Sequence, residues 1–445
     1  MPFIPMTEEN HKDMLQSIGV DTFEALLKDI PETIRFQGQL NLPSPLSELE
    51  VTQLVKDLAK QNAHAGSHTC FLGGGAYDHF IPAAIDHLIS RSEFYTAYTP
   101  YQPEVSQGNL QTIYEYQSMI AELTGMEVAN ASMYDGASAL AEAVLLANNH
   151  SRRPKALISK AIHPFYRQVV QTYCNRAGIE LVEIPLKEGI TDTDAIKQLL
   201  DNQTAGVFVQ YPNFLGCLED LKPIAELAHE SGALFGVSVD PIALGILEAP
   251  GHLGADIVTG EGQGLGNALN FGGPYVGLFA VNKSLIRKLP GRLVGVTEDR
   301  EGRRGYVLTL QTREQHIRRE KATSSICTNE QLCALASAIY LSLMGKIGFR
   351  QVSNLCIQKA HYLSAAIEKI PGYSVYFKQP FFKEFAIRCP VAPQKIIDAM
   401  VEHKILAGID LSRFDYGIED GLLIAVTEKR TKEEMDRLVE VLASL

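Results

Sequence analysis

Residues 234–282 read LFGVSVDPIALGILEAPGHLGADIVTGEGQGLGNALNFGGPYVGLFAVN. An apolar strand over Leu234–Val239 ends on Asp240. A second short strand is predicted over 256–259, followed by a loop punctuated by Gly260, Gly262, Gly264 and Gly266. The Gly272-Gly273-Pro274 turn then leads into a third strand near 276–281. No Lys or Arg lies between Pro241 and Asn282, and the middle of the glycine loop carries Gln263. A primary amide is a poor nucleophile and does not condense with an aldehyde.

A strand-end acid followed about twenty residues later by a loop lysine is how enzymes of the aspartate-aminotransferase type hold pyridoxal phosphate (PLP). The acid pairs with the pyridinium nitrogen, and the lysine forms the Schiff base. Here Asp240 has the acid's place, and Gln263 stands where the amine is expected. The stretch therefore predicts an α/β chain of the fold-type-I PLP-transferase kind that lacks its own covalent anchor.

The surrounding sequence agrees with such a fold. From Leu110, apolar residues recur at helical spacing (Ile113, Tyr116, Ile120, Leu123) until Gly125 stops the run. Asp135-Gly136-Ala137-Ser138 opens a second helix that is apolar on nearly all sides to Ala147 and so is predicted to be buried. Strands at 155–159, 180–185, 206–211, 234–239, 256–259 and 276–281 then alternate with helices at 164–176 and 220–230. Short apolar runs alternating with helices indicate a mainly parallel sheet covered on both faces. Past about 310 the pattern changes to helix over 329–370, then strands at 373–377, 384–389 and 422–426, with helices at 393–403 and 432–442. Three regions follow: an N-terminal arm (1–60), a large α/β domain (61–310) and a smaller C-terminal α+β domain (311–445). In the arm, Thr7 and the capping box of Ser47 with Glu50 mark helix starts.

The chain has 445 residues, is 46% hydrophobic and carries a net charge of −12. That balance fits a chain with a sizeable core, and it argues against nucleic acid, whose phosphates need clustered cations. No apolar run approaches the ~18 residues of a membrane span, and no secretory signal is visible, so the cytoplasm is expected. Seven scattered cysteines form no CxxC pair, which reads as reduced thiols, and no zinc or other metal site is expected. Dinucleotide, P-loop, zinc-protease and serine-hydrolase motifs are absent.

Several residues fit a cofactor cradle. The helix start at Asp135, Gly136 and Ser138 reads either as a phosphate seat or as an ordinary N-cap. His163, before Pro164, reads as a residue that stacks on a cofactor ring or as a hydrogen-bonded loop histidine. Asp240 reads as a pyridinium partner or as an N-cap before Pro241. Two further stretches stand out. Residues 92–108 place Tyr95, Tyr98 and Tyr101 three apart, where Pro100 and Pro103 forbid a helix, so they form either an interface strap or a site wall. Residues 311–329 crowd Arg313, His316, Arg318, Arg319 and Lys321 before an uncharged run of small hydrogen-bonding residues. Those cations read as a solvated face or as a means of steering an acidic partner.

At these residues the chain resembles a known family. The stretches SEFYTAYTPYQPEVSQGNLQTIYEYQ (92–117), QYPNFLGCLEDL (210–221), FGGPYVGLFAV (271–281), LPGRLVGVT (289–297) and LTLQTREQHIRREKATSSICTN (308–329) are similar to the glycine decarboxylase P protein of the glycine cleavage system. The similarity is to subunit 1 of its two-subunit bacterial form, the half without the lysine. The resemblance implies that subunit 2, an obligate partner, holds PLP on its lysine, and that Gln263 lies opposite that lysine. It implies decarboxylation of glycine and transfer of the aminomethyl group to the lipoyl arm of the H protein. It also implies that this chain completes its partner's site. Candidates for that role are Tyr95, Tyr98, Tyr101, Gln102, Ser106 and Gln107 from the aromatic segment, with Ser324, Thr328 and Asn329 from the basic one. On this reading Asp135, Gly136, Ser138, His163 and Asp240 form a vestigial cradle. Two other readings are a stand-alone PLP lyase using Lys160 or Lys283, and a non-catalytic scaffold that docks the H protein.

Overall fold

The computed structural model describes residues 6–36, 38–322, 324–326 and 330–445. Met1–Asn62 and Ala63–Leu445 form two compact units. In the first, the helices Glu8–Ile18 and Glu48–Ala59 each begin with a reciprocal cap, Thr7 with Asn10 and Ser47 with Glu50. Neither helix buries a residue, and the apolar side chains of Met14, Ile18, Leu54 and Leu58 are exposed.

The second unit is built on a seven-stranded sheet. From one edge its strands are Val128–Ala129, Gly277–Val281, Ile257–Glu261, Leu234–Val239, Thr204–Tyr211, Lys155–Ser159 and Glu180–Ile184. Gly277–Val281 runs antiparallel to both neighbours, and the other neighbouring pairs are parallel. Successive side chains of a strand point to opposite faces. Val207, Phe235, Val237 and Val258 accordingly enter one core with Tyr116, Ile120 and Ile224. Phe208, Ile158, Ile257 and Phe279 enter a second core with Leu140 and Val144 of the helix Gly136–Ser151. That helix is buried around its whole circumference from Gly136 to Val144, as its all-round apolar sequence predicts.

The small sheet is antiparallel, in the order Ser374–Val375, Glu384–Arg388, Gly421–Ala425, Ile409–Asp410. Its core joins Ile387, Leu422 and Ile424 to Met400, Met435 and Leu438 of the helices Pro393–Glu402 and Lys432–Ala443. Among the described residues one helix, Gln331–Ile367, has the length and apolarity of a membrane span. It turns out of helical geometry at Gly345 (φ 56°, ψ −179°). Its first part gives Ala334, Ala338 and Tyr340 to the large sheet's core, and its last part gives Ala360, Leu363 and Ile367 to the small sheet's core.

Two features escaped the sequence reading. Leu293–Glu298 and Arg304–Thr309 form a hairpin. Thr69–Cys70 pairs in parallel with Ile405–Leu406, which lie more than three hundred residues further along the chain. Several boundaries also move; the one that matters for the site is the strand expected at 256–259, which runs over Ile257–Glu261, so Glu261 ends a strand rather than opening a loop.

Candidate functional site

The carboxyl ends of the parallel strands converge, as ligand-binding crevices in open α/β sheets require. Asp240 follows Leu234–Val239, Gln210 lies near the end of Thr204–Tyr211, His163 follows Lys155–Ser159, and Glu261 closes its strand. With Gly75, Tyr77, Tyr166, Ser238 and Gly264 they line one cavity. Of the residues read as a cradle, His163 and Asp240 line this cavity, which is almost full. About 20 Å³ remains, room for roughly one water molecule.

His163 is held on both sides. Its Nδ1 accepts the Phe165 N–H at 3.1 Å, and its Nε2 lies 2.7 Å from the Gly74 carbonyl, so the proton sits on Nε2. Burial pushes its pKa down to about 4 and keeps the ring neutral. Its face stacks on Tyr166 at 4.7 Å rather than lying open to a ligand. The Gln210 side chain accepts its backbone N–H at 2.8 Å.

At each of the three positions read from the sequence as PLP anchor points, the chain's own groups bond to one another. At the acid, Asp240 Oδ1 accepts the Ile242 N–H at 3.1 Å, and Oδ2 lies 2.8 Å from the ammonium of Lys383. At the phosphate seat, the Gly136 N–H donates to Glu261 Oε2 at 2.9 Å, while the Ser138 N–H is taken by Asp135 Oδ1 at 2.7 Å. Glu261 Oε1 also accepts the N–H groups of Gln263 and Val276, and burial pushes this carboxyl up to about 8. At the Schiff-base position, Gln263 accepts the Tyr77 N–H and donates to the Asn267 carbonyl. The residues present do not fit PLP: no amine is offered, the helix N-terminus is satisfied, and the acid already has its cation.

Lys383 belongs to a longer charge ladder. Its ammonium also lies 2.9 Å from His79 Nε2 and 3.5 Å from the centre of the Tyr77 ring. Burial and the Lys383 charge lower the His79 pKa, so the neutral ring donates from Nδ1 to Glu428 at 2.6 Å. Burial raises the Glu428 carboxyl, but the bond from His79 and the Phe80 N–H outweigh it and leave it at about 2. Among the described residues, His79, Cys356 and Glu428 are the group whose donor atoms could converge on a metal, all within 4.8 Å of one another. Both His79 nitrogens are already engaged, and burial raises the Cys356 thiol well above its ordinary range.

The shared-site candidates lie elsewhere. Tyr95 and Tyr98 are 67% and 79% exposed, which leaves their rings available to a second chain. Tyr101 reaches the basic segment: its ring lies 5.6 Å from that of His316, and its hydroxyl accepts from Arg292 at 2.9 Å. The aromatic and basic stretches therefore meet in space at this point. Gln102 is exposed and Ser106 half-buried. Gln107 is a clamp, since its side chain both donates to and accepts from the backbone of Tyr306. Ser324 turns inward, accepting the Ile326 N–H and bonding the buried Glu142. Thr328 and Asn329 lie outside the described residues. Arg313 is no steering charge, because its guanidinium is buried and donates to the carbonyls of Leu289, Gly291 and Leu310. Neither lysine of the stand-alone reading lines the cradle: Lys160 pairs with Asp415, and the Lys283 N–H donates to Glu127.

A family profile described as the glycine cleavage system P-protein matches residues 1–442. The chain belongs to this family. A relative from Chloroherpeton thalassium, described as a probable glycine dehydrogenase (decarboxylating) subunit 1, is 56% identical over 445 residues and aligns with all of both chains. A relative of the same description from Chlorobaculum tepidum is 56% identical over 446 residues, again covering both chains in full. The crystal structure of a glycine decarboxylase (P-protein) of the glycine cleavage system, in inhibitor-bound form, superposes with a TM-score of 0.91 at 45% identity over the whole of both chains. The P-protein family places this chain among fold-type-I PLP enzymes. Sequence reasoning missed Lys383 and Glu261, the two residues that fill the cradle.

Proposed function

We infer that this chain is subunit 1 of a two-subunit glycine dehydrogenase (decarboxylating) and that it works only as part of that pair. The observation that carries this reading is the filled cradle around Gln263 in a chain that otherwise keeps the fold in full. On this reading subunit 2 holds PLP on its own lysine, and the pair works in the cytoplasm on glycine and the lipoylated H protein. PLP, where bound, supplies the electron sink that lets glycine lose CO2. The aminomethyl group is then passed to the lipoyl arm of the H protein.

This chain's part is to complete the partner's site. Tyr95 and Tyr98 offer exposed rings, Tyr101 is oriented by Arg292 and lies against His316 of the basic stretch, and Ser324, Thr328 and Asn329 are the candidates that stretch adds. Gln107 clamps the backbone at Tyr306, and Gln102 and Ser106 are further candidates from the same segment. Such a wall would exclude water and align bound glycine. The test is Tyr98→Ala in reconstituted heterodimer. We expect CO2 release from glycine to fall by about tenfold or more while the pair still co-elutes. Parental turnover in a normally assembled pair would remove Tyr98 from the site.

A further inference from the structure

The ammonium of Lys383 is placed with unusual completeness. Its side chain is 1% exposed, and its three protons face three acceptors: Asp240 Oδ2 at 2.8 Å, His79 Nε2 at 2.9 Å and the Tyr77 ring at 3.5 Å. Burying a charge without such partners is strongly unfavourable, so a lysine in this position has a defined task. Its partner Asp240 is itself nearly buried, at the end of a central strand. Without a cation it would be a carboxylate deep in the sheet. The opposite end of the cavity has the opposite problem. The helix Gly136–Ser151 points its N-terminus into the same space, with partial positive charge and N–H groups that the helix itself cannot satisfy. Glu261 brings an acceptor there and takes the Gly136, Gln263 and Val276 N–H groups at 2.9–3.3 Å. The cradle thus holds one added cation at its acidic end and one added carboxyl at its donor end, from residues 122 positions apart in the chain (383 minus 261).

We infer that Lys383 and Glu261 are built-in counterparts of a cofactor's ring cation and phosphate, which keep this subunit folded without the cofactor and closed to it. The inference rests on the reading that the partner carries PLP, but its test reads only this chain. Each group answers a need that the cradle's geometry retains. Lys383 neutralises the strand-end acid, and Glu261 satisfies the helix N-terminus. The strand Glu384–Arg388 delivers Lys383, so the ion pair also fastens the small sheet to the large one.

Chemical rescue on the full chain tests this. Lys383→Ala should lower Tm by about 5 °C or more, because it leaves Asp240 unpaired. Ethylammonium should then raise the Tm of this variant saturably, and not that of the parent. The double variant Asp240→Asn/Lys383→Met, a neutral pair of similar volume, should melt within a few degrees of the parent and ignore ethylammonium. Its melting is read whether or not the single variant can be recovered, so the measurement does not depend on the single variant alone. For the other end, Glu261→Ala should be stabilised by inorganic phosphate more than by chloride at equal ionic strength. A Lys383→Ala chain that melts like the parent would overturn the inference. So would a double variant that melts far below it, or phosphate acting no better than chloride on Glu261→Ala. A failure here would leave the heterodimer assay of Tyr98 untouched, so the two readings fall separately.

Discussion

The side-chain carbonyl of Gln263 accepts the backbone N–H of Tyr77 at 2.8 Å, while its amide nitrogen donates to the Asn267 carbonyl at the same distance. The amide is therefore a working part of the fold and closes the glycine loop onto the segment that carries Tyr77. Lysine has donors and no acceptor, so it cannot reproduce this pair of bonds.

Gln263→Lys should accordingly fail twice. It leaves the buried Tyr77 N–H without its acceptor, which costs about 1–3 kcal/mol, read as a lower urea midpoint. It should also fail to gain the cofactor, because Glu261 and Lys383 still hold the other two anchor points. After incubation with PLP and borohydride reduction, mass spectrometry should find no stoichiometric adduct at the introduced amine. One equivalent of adduct would show that the missing amine was the whole of the defect.

Tyr101 and Tyr98 should differ in what their hydroxyls contribute to stability. Arg292 is 2% exposed, donates to the Tyr101 hydroxyl at 2.9 Å, and has Glu314 at 3.6 Å from its Nε. Tyr101→Phe removes the acceptor from a buried guanidinium and should destabilise the chain by about 1–3 kcal/mol. Tyr98 is 79% exposed, and Tyr98→Phe should change stability by less than about 0.5 kcal/mol. Denaturant melts of the two variants compare them directly, and equal midpoints would contradict the role given to Arg292.

The parts of the molecule that could be read in advance are those whose signal is local. The strands Lys155–Ser159 and Leu234–Val239 fall where their apolar runs lie, and Gly125 ends its helix in the left-handed conformation that a glycine admits. Gln263 could be read because its neighbours include no amine. Lys383 could not, since nothing near it in sequence distinguishes it from a surface lysine. Its burial exists only because the small sheet lies against Asp240. Glu261 was nearer to being legible. A lone acid at the end of an otherwise apolar strand is a buried polar group in need of hydrogen-bond partners, but the Gly136 N–H that answers it comes from 125 residues away. The pairing of Thr69–Cys70 with Ile405–Leu406 was hidden for the same reason.

Glu142 gives a pH signature next to the segment assigned to the partner's site. It is 3% exposed on the buried helix, and burial pushes its carboxyl up to about 7, with the Ser324 hydroxyl pulling the other way. The folded chain therefore binds the Glu142 proton more tightly than the unfolded chain, whose value is near 4.5. Stability from this group is fully present below pH 4.5 and is lost as pH rises to about 7, by something on the order of 3 kcal/mol. Glu142→Gln keeps the shape and removes the titration. The variant should match the parent near pH 4.5, pull ahead between 4.5 and 7, and stay more stable by a constant margin above that. Other buried carboxyls, such as Glu261, titrate alike in both chains and cancel in the difference. Urea midpoints taken across this range decide the matter: parallel curves would mean that Glu142 stays ionised in the fold, held by donors stronger than Ser324.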